Sequence, residues 1–455
     1  MTSDELGRLS EELAALIGDT RFDELAPETI ERATKCVIDT VGVTIAGANA
    51  PPIEPVTQYL ELTGSGGPGS IIGQGSGYPL ADAALANGLA GHCLDYDDSV
   101  IQMICHPSVP LIVPMLAVSE IQPVSGRDMI AAYVAGYEVM ATISRPIMPA
   151  HYNDGWHATS TLGTFGAAAT TAKLRGLDAE ATRNALNIAA SMPSGIRRNF
   201  GTMTKPLHAG HAARSGVTAA LLAENGFSAH SYALTDRNGF LDVYRGESEP
   251  DEIVYPSERD GLYFDEYGVW RKKYASNGQT QAAVAVTTDL VEEHGLSAGN
   301  VEHVELTVPP LAVELLPYPE PTTTEEARYS MEYCVARTIA HGEPGIADYE
   351  VDAVEDPETR ALFDRVDFSS DGADPDHPFQ TFVRIELADG GSVEGQLDYP
   401  PGHPNNQMTD AEFKAKFIDG ATQQLSIDSA EDVYDSLLDL SEVDDVGGSL
   451  VAPLT

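Results

Sequence analysis

Three basic residues stand where the sequence predicts the start of a helix. His106 and Lys205 each directly precede a proline and an apolar helical pattern, and His157 stands just before Thr159-Ser160. Proline favours the first helical turn, so His106 and Lys205 are predicted at helix N-termini. Free backbone amides make that end partly positive, and a further cation is unfavourable there unless an anion binds. If the fold brings them together, these residues form a receptor for carboxylates with two imidazoles for proton transfer. The alternative is that each histidine only caps or packs, and that Lys205 extends into solvent.

An acidic cluster, Asp95-Tyr96-Asp97-Asp98-Ser99, follows the helix that is predicted to end near Cys93. Carboxylates at a helix C-terminus oppose the helix dipole, which suggests a purpose other than stability. Because His92, Cys93 and Leu94, which come just before it, look buried, we favour a functional role for Asp95, which would set the tautomer and basicity of an imidazole. In so acidic a chain, the alternative is a plain acidic surface.

Other motifs predict no recognised chemistry. The glycine-rich run at 64–69 satisfies G-x-G-x-x-G, but it is followed by no helix and is interpreted as a loop. No G-x-S-x-G is present, which removes the simplest serine-hydrolase interpretation. His208 and His211 could share a helix face, but no acidic third metal ligand has a recognised spacing, so packed or capped histidines are favoured. The cysteines lack C-x-x-C spacing and are interpreted as reduced, buried thiols: Cys36, Cys93, Cys105 and Cys334.

The composition is strongly acidic, with 26 Lys plus Arg against 70 Asp plus Glu and a formal net charge of −44. This excludes nucleic acid or an anionic membrane as the main partner, because both require clustered Lys and Arg. Abundant acids with few lysines suggest a cytosol of very high salt. The N-terminal segment lacks the basic and apolar regions of a signal peptide, and two prolines interrupt the longest apolar run. We therefore expect a soluble, cytoplasmic protein.

The elements that must position these residues are mainly helical. Apolar residues recur at helical spacing in 4–18, 28–47, 80–94, 108–120, 127–144, 158–174, 179–191 and 206–224. Past Tyr263, short alternating strands mix with helices, and helices resume after Thr409. We predict a mainly α protein with a large all-helical domain (1–265 and 396–455) and a smaller α+β lid domain (266–395). The acidic stretch 348–376 is interpreted as a surface insertion.

Several long blocks, in order along nearly the whole chain, resemble the MmgE/PrpD family. Its characterised members include 2-methylcitrate dehydratase, cis-aconitate decarboxylase and iminodisuccinate epimerase. The blocks are AALANGLAGHCLDYDDS (83–99), HPSVPLIVPMLAV (106–118), GWHATSTLGTFGAAAT (155–170), KPLHAGHAARSGVTAALLAENGF (205–227), ARYSMEYCVA (327–336) and PPGHPNNQMTDAEFKAKF (400–417).

The resemblance implies the two-domain fold, a homodimer, no metal, no organic cofactor and a site in the cleft between the domains. Ser99 stands where the family usually has Thr. Gln281 falls where a lid histidine is expected, and because an amide does not titrate at neutral pH, this weakens a decarboxylase mechanism that needs an acid at that position. The catalytic residues implied are His157, His106, Lys205, Asp95 and Tyr333, and the substrate-binding residues are Ser99, Lys205 and Gln281.

The chemistry shared by the family is formation or quenching of a carbanion next to a carboxylate. We expect a cofactor-independent lyase for a small di- or tricarboxylate, first a hydro-lyase of the 2-methylcitrate dehydratase type. Decarboxylation of cis-aconitate or epimerisation of iminodisuccinate is the alternative. A non-catalytic polycarboxylate-binding protein is the alternative of another class. An aconitase with an iron–sulfur cluster is disfavoured, because no three cysteines have ligand spacing.

Overall fold

The computed structural model of the chain describes residues 3–64, 66–246, 252–374 and 377–455. The chain divides into two compact units. Unit 1 comprises Met1–Cys93, Asp97–Val269 and Gly420–Thr455, and unit 2 comprises Leu94–Tyr96 and Trp270–Asp419. No helix of the described ranges is both long and apolar enough to cross a membrane. The mainly α fold class with a smaller α+β part is confirmed.

Unit 1 is built from helices, and each helix predicted before residue 225 is present. Its helices are α1 (Ser3–Asp19), α2 (Pro27–Gly47), α3 (Ile53–Thr63), α4 (Leu80–His92), α5 (Ser108–Ser119), α6 (Gly126–Ser144), α7 (Ala150–Asn153), α8 (Ala158–Leu174), α9 (Ala179–Ala189), α10 (Thr204–Glu224), α11 (Phe240–Tyr244), α12 (Tyr263–Tyr267) and, near the C-terminus, α20 (Ile427–Leu438). The antiparallel strands β1 (Gly69–Ile71) and β2 (Gly75–Tyr78) follow the predicted glycine-rich loop, of which Ser65 lies outside the described residues.

Helices α4, α5 and α10 pack closely because small residues line their contacts. Ala84, Val113 and Ala213 are among the buried side chains of their shared core. At Gly210 the backbones come so near that a Cβ atom would lie 2.1 Å from the carbonyl oxygen of Leu85. Interiors have no space for such an atom, so α10 is fixed against α4 at this point. This packing holds the N-terminal turn of α10 in place.

Unit 2 combines a four-stranded sheet with helices. Its strands are β3 (Val301–Thr307), β4 (Val366–Ser369), β5 (Thr381–Leu387) and β6 (Ser392–Leu397), in the order β4-β3-β5-β6. β3 pairs with β4 in parallel and with β5 antiparallel, and β5 pairs antiparallel with β6. Its helices are α13 (Gln281–His294), α14 (Pro310–Leu315), α15 (Thr324–Ala327), α16 (Met331–His341), α17 (Val351–Val354), α18 (Pro357–Arg360) and most of α19 (Asp410–Ala421).

Two details of unit 2 differ from the sequence predictions. The stretch 348–376 is more than a surface insertion, because it supplies β4 and buries Tyr349, Val354 and Phe363; its residues 375 and 376 lie outside the described part of the chain. The chain also rejoins unit 1 at Gly420, later than the predicted residue 396. One reason is Lys416, whose Nζ donates to the carbonyl oxygen of Tyr96 at 2.9 Å within unit 2.

Candidate functional site in unit 1

The three basic residues singled out from the sequence stand at helix N-termini, as predicted. His157 is the N-cap residue of α8, Lys205 is the second residue of α10, and His106 lies two residues before α5. The backbone N–H of His106 donates to Thr159 Oγ1 at 3.0 Å, which joins the start of α5 to the start of α8. All three therefore lie near the partly positive ends of helices within unit 1.

These helix starts converge on a cluster of imidazoles. The ring centroids of His106 and His157 are 6.5 Å apart, and the His92 ring lies 4.6 Å from the first and 5.7 Å from the second. Phe200 connects Lys205 to the cluster, because its ring centroid lies 4.9 Å from that of His157 and 5.7 Å from Lys205 Nζ. The structure thus places His106 and His157 close together, with Lys205 connected to them through Phe200.

One buried carboxylate, that of Asp97, contacts two of these imidazoles. Asp97 Oδ2 lies 2.8 Å from His92 Nδ1, and Asp97 Oδ1 lies 3.3 Å from His106 Nδ1. Burial alone raises the pKa of Asp97, but His106 and His92 outweigh burial and hold this pKa well below its usual range. An ionised Asp97 accepts from Nδ1–H of His92, which leaves Nε2 as the basic nitrogen of that ring, while its Oδ1 lies within ion-pair distance of His106.

His92 and His157 are neutral imidazoles in this setting. Burial lowers the pKa of His92 to about 3, Asp97 opposes that shift, and Lys205 adds to it. Burial likewise lowers the pKa of His157 well below its usual range, with further contributions from His92 and Lys205. His92 Nε2 is buried and has no hydrogen-bond partner among the described residues. An incoming anion would stabilise protonated imidazole and raise both pKa values, so ligand binding and proton uptake are coupled here.

A loop and a neighbouring helix hold His157 in place. Its backbone N–H donates to the carbonyl oxygen of Gly195 at 3.1 Å, and its Nδ1 lies 3.0 Å from Nδ1 of His208. Gly195 has φ +99, and a Cβ atom at this position would lie 3.0 Å from Ser160 and 3.1 Å from His208. Glycine is thus required where the loop passes between α8 and α10.

Asp98 and Ser99 support the loop before α5. The Asp98 carboxylate accepts from the backbone N–H of Ser108 at 3.2 Å and from the Ser108 hydroxyl. Burial, with Asp39 adding to it, raises the pKa of Asp98 to about 7. Ser99 is half-buried, and its hydroxyl donates to the carbonyl oxygen of Cys105 at 3.3 Å. The predicted role of Ser99 in substrate binding stays a prediction.

The remaining predicted site residues, Asp95, Gln281 and Tyr333, belong to unit 2. Asp95 is buried with φ +49, and its carbonyl oxygen and Oδ1 each lie 2.6 Å from Lys272 Nζ. A backbone of this kind is strained for a residue other than glycine, and the Lys272 ion pair holds it. The carboxylate that lies beside His92 and His106 is that of Asp97, whereas the sequence pattern favours Asp95 for this task. The catalytic role of Asp95 itself stays a prediction.

Gln281 and Tyr333 both carry structural hydrogen bonds. Gln281 is fully buried; its Oε1 accepts from the backbone N–H of Tyr274 at 3.0 Å, and its Nε2 donates to Tyr274 O at 2.9 Å and to Ser276 O at 3.2 Å. The Tyr333 hydroxyl donates to the carbonyl oxygen of Asp348, and burial raises the pKa of this hydroxyl. Substrate binding by Gln281 and catalysis by Tyr333 remain predictions.

A metal ion would find three donors in one place. Ligand atoms of His92, Asp97 and His106 all lie within 4.8 Å of one another, and two imidazoles with a carboxylate form a set that Zn²⁺ accepts. The two carboxylate oxygens of Asp97 already lie beside the rings of His92 and His106. The ammonium group of Lys205 is near enough to lower the pKa of His92, so a metal ion would bind beside an existing positive charge. The absence of a metal, implied by the family resemblance, stays a prediction.

Sequence reasoning missed His92, Asp97 and His208 as members of the cluster. The sequence predicts only that His92 is buried and that Asp97 is part of the acidic block. It favours a packed or capped His208, because no acidic third metal ligand has a recognised spacing from His208 and His211. The available signal was the proximity of all three in sequence to the predicted site residues: His92 and Asp97 flank Asp95, and His208 follows Lys205 on the same helix.

The amino-acid sequence of the chain matches the models of two known protein domains. The MmgE/PrpD N-terminal domain matches residues 11–253, and the MmgE/PrpD C-terminal domain matches residues 274–440. The chain belongs to the MmgE/PrpD family.

Named relatives carry two kinds of activity. The cis-aconitate decarboxylase of Mus musculus is 28% identical over 97% of this chain and 92% of the relative. The cis-aconitate decarboxylase of Aspergillus terreus is 25% identical over 93% of this chain and 91% of the relative. The 2-methylcitrate dehydratase of Escherichia coli K12 is 24% identical over 83% of each chain. Decarboxylases and dehydratases are both lyases, and this chain is similar to each.

Proposed function

We propose that this protein is a cofactor-independent lyase that acts on a small di- or tricarboxylate by moving a proton to or from a carbon next to a carboxylate. The observation that carries the proposal is the convergence of Lys205, His106 and His157 at three helix N-termini beside the Asp97 carboxylate. In a chain with a net charge of −44, this cationic and dipolar cluster is an unusual local environment that suits an anion.

The proposed division of labour follows from the contacts. Lys205 and the amide ends of α5, α8 and α10 bind substrate carboxylates. His157, a neutral imidazole with a lowered pKa, serves as the base for an acidic C–H when its Nε2 is unprotonated, or as the donor to a carbanion when its Nε2 carries the proton. Asp97 orients His106 and stabilises its protonated form, so that His106 is the partner acid. Positive charge near the substrate stabilises the carbanion that these reactions share.

Two reactions are supported by particular observations. Decarboxylation of a cis-aconitate-like acid is favoured by relatives with this name that match more than nine-tenths of both chains. Gln281 stands where a lid histidine is expected, but its buried amide binds the turn at 274–276, so we assign the proton transfers to His157 and His106 instead. Dehydration of a 2-methylcitrate-like acid, the first expectation from the sequence, is supported by a relative matched over 83% of both chains. We rank decarboxylation first on coverage and identity.

Turnover assays on three acids separate the candidates. Purified protein in molar KCl is incubated with cis-aconitate, 2-methylcitrate and iminodisuccinate, and the products are followed by NMR. We expect CO₂ release from cis-aconitate, and water loss from 2-methylcitrate identifies the second candidate. His157→Gln and Lys205→Gln are expected to reduce the active reaction at least tenfold. Undiminished turnover in both variants would contradict the proposed site, whereas a ligand-induced rise in Tm without any product would support the binding-protein alternative.

Three further properties are proposed on the family resemblance and composition. We propose a homodimer, a cytoplasmic location and adaptation to high salt. At molar ionic strength the screening length falls to about 3 Å, so the repulsion among the surface acids weakens. Light scattering in 0.2 M and 3 M KCl, with Tm measured in parallel, tests the assembly and the salt response. A monomer at both salt concentrations, or a Tm that falls as KCl is added, would contradict the corresponding proposal.

A further inference from the structure

Unit 1 contains a cavity of about 600 Å³ next to the imidazole cluster. The loop residues Gly195 and Ile196 line it together with side chains of α3 and α10. Two histidines of α10, His208 and His211, both line this cavity. The cavity is therefore open to a small molecule such as water on the side of α10 where His208 lies.

His208 contacts both the cavity and the candidate base. His157 is 2% exposed, and its Nδ1 lies 3.0 Å from Nδ1 of His208, which is 7% exposed. The two ring centroids are 5.2 Å apart. With Nδ1 of His208 directed at His157, Nε2 of the same ring is left for a water in the cavity.

We propose that His208 is a proton-relay residue that exchanges protons between His157 and water in this cavity. The inference rests on the proposed function, since it concerns the supply of protons to the same site. It adds a residue and a route: a buried base that must return to its starting protonation state after each turnover does so through His208.

The relay is a balanced pair of proton transfers. His157 gives its Nε2 proton to the substrate carbanion, which forms the new C–H bond. The Nδ1 proton of His208 moves to Nδ1 of His157, while a hydronium ion in the cavity gives a proton to Nε2 of His208 and becomes water. Each imidazole ends neutral with its proton on the other nitrogen, and ring tautomerisation restores the starting state. In the reverse direction, a proton taken from the substrate leaves to cavity water by the same steps.

The lowered pKa values of His208 and His157 favour passing a proton on over retaining it. Burial lowers the pKa of His208 to about 4, and Lys205 and His211 contribute to that shift. With His157 also neutral, the Nδ1 contact is a hydrogen bond between two uncharged rings, and neither ring retains a proton that the other needs.

A matched pair of substitutions on α10 tests the relay. His208→Gln removes the second exchangeable ring nitrogen beside His157, whereas His211→Gln changes a histidine that lines the same cavity and whose Nε2 faces Ser215 Oγ at 3.4 Å. We expect kcat of the active reaction to fall about 10- to 100-fold in His208→Gln with KM nearly unchanged. His211→Gln keeps the wild-type kcat. Added imidazole restores part of the activity of His208→Gln.

A second readout does not depend on the substrate. In protein labelled with ¹⁵N-histidine, the ring N–H of His157 exchanges with water at a rate measured by NMR, and His208→Gln is expected to slow this exchange at least tenfold. Exchange as fast as in the wild type would overturn the relay even if all three acids were turned over. Slowed exchange in a protein that turns over none of them would leave the relay standing and contradict only the proposed function. Loss of kcat in His208→Gln that imidazole fails to rescue, with unchanged exchange, indicates a packing role and also overturns the relay.

Discussion

The Oδ2 atom of Asp97 lies 2.8 Å from Nδ1 of His92, and each of these two residues is 1% exposed. The same carboxylate reaches His106 through its other oxygen at 3.3 Å. The acid thereby fixes the tautomer of His92, which presents Nε2 as its basic nitrogen, and it lies within ion-pair distance of His106.

Replacing this acid tests the tautomer argument. In Asp97→Asn the amide nitrogen is a donor, so one imidazole must accept from it and reverse its tautomer. We expect kcat to fall about 100-fold or more at neutral pH, because general acid–base catalysis of this kind contributes about 10²- to 10⁴-fold. Asp98→Asn is the matched control, since Asp98 is adjacent, equally buried and bound to Ser108. Equal loss in both variants would show that the loop, rather than the tautomer, matters.

Lys205 is expected to affect both substrate binding and the neighbouring pKa values. A positive charge lowers the pKa of nearby imidazoles, so Lys205→Gln should raise the pKa of His92, His157 and His208 toward the ordinary value, as seen by histidine NMR titration. Loss of a hydrogen bond to a charged group, worth about 1.5–3 kcal/mol, predicts a fall in kcat/KM of about 10- to 100-fold. Lys173→Gln is the control, because Lys173 Nζ binds the carbonyl oxygen of Ile17 at 2.6 Å. An unshifted His157 in Lys205→Gln would contradict the prediction.

The burial of His151 predicts that the free energy of unfolding depends on pH in the acid range. Its Nδ1–H donates to Tyr244 O at 2.8 Å, its Nε2 accepts from Thr161 Oγ1 at 2.7 Å, and burial lowers its pKa from 6.5 to about 4. Between these values the unfolded chain binds more protons than the folded one, so the free energy of unfolding falls as the pH falls. This one histidine accounts for about 2 kcal/mol of loss between pH 7 and 5. Urea unfolding of His151→Gln across this range should show a correspondingly shallower pH dependence; an unaltered slope would count against it.

The close approach of α10 to α4 at Gly210 predicts that the helical unit does not tolerate added volume there. A methyl group in Gly210→Ala meets the Leu85 carbonyl oxygen at 2.1 Å and Leu89 N at 3.0 Å, so α10 must move away from α4. Overpacking of this kind destabilises by about 1–3 kcal/mol, and the displaced helix should also lower kcat. Gly18→Ala in α1 is the control, because a Cβ atom at Gly18 meets no atom within 4 Å. A Gly210→Ala protein as stable as the control would show that the helices separate without penalty.

Local signals in the sequence predicted the helix starts and much of the secondary structure. Pro107 is the N-cap residue of α5 and Pro206 is the third residue of α10, since proline suits the start of a helix whatever surrounds it. β4 was missed because Val366 and Phe368 are its only apolar residues, and their burial comes from pairing with β3, which lies far away in sequence. Short strands of this kind have little local pattern.

The members of the site were harder to predict than the elements that carry them. Within the acidic block, Asp95 has a left-handed backbone and Asp97 contacts the histidines, and nothing in the residue types signals either feature. The Tyr333 hydroxyl binds the carbonyl oxygen of Asp348, a partner that depends on tertiary structure. Sequence therefore indicated the class of chemistry and several participants, while the choice among neighbouring carboxylates needed the folded chain.

The tripeptide Leu94–Tyr96 interrupts unit 1 in sequence and belongs to unit 2, which limits how the chain can be divided into separately expressed fragments. Its three successive carbonyl oxygens accept from three buried cations, with Arg328 bound to Leu94, Lys272 to Asp95 and Lys416 to Tyr96. A fragment that encodes only residues 270–419 lacks these acceptors, and each buried cation deprived of its carbonyl destabilises the fragment by about 1–3 kcal/mol or more. The smaller unit is thus no transplantable module; it acquires its full set of internal bonds only when translated as part of the whole polypeptide.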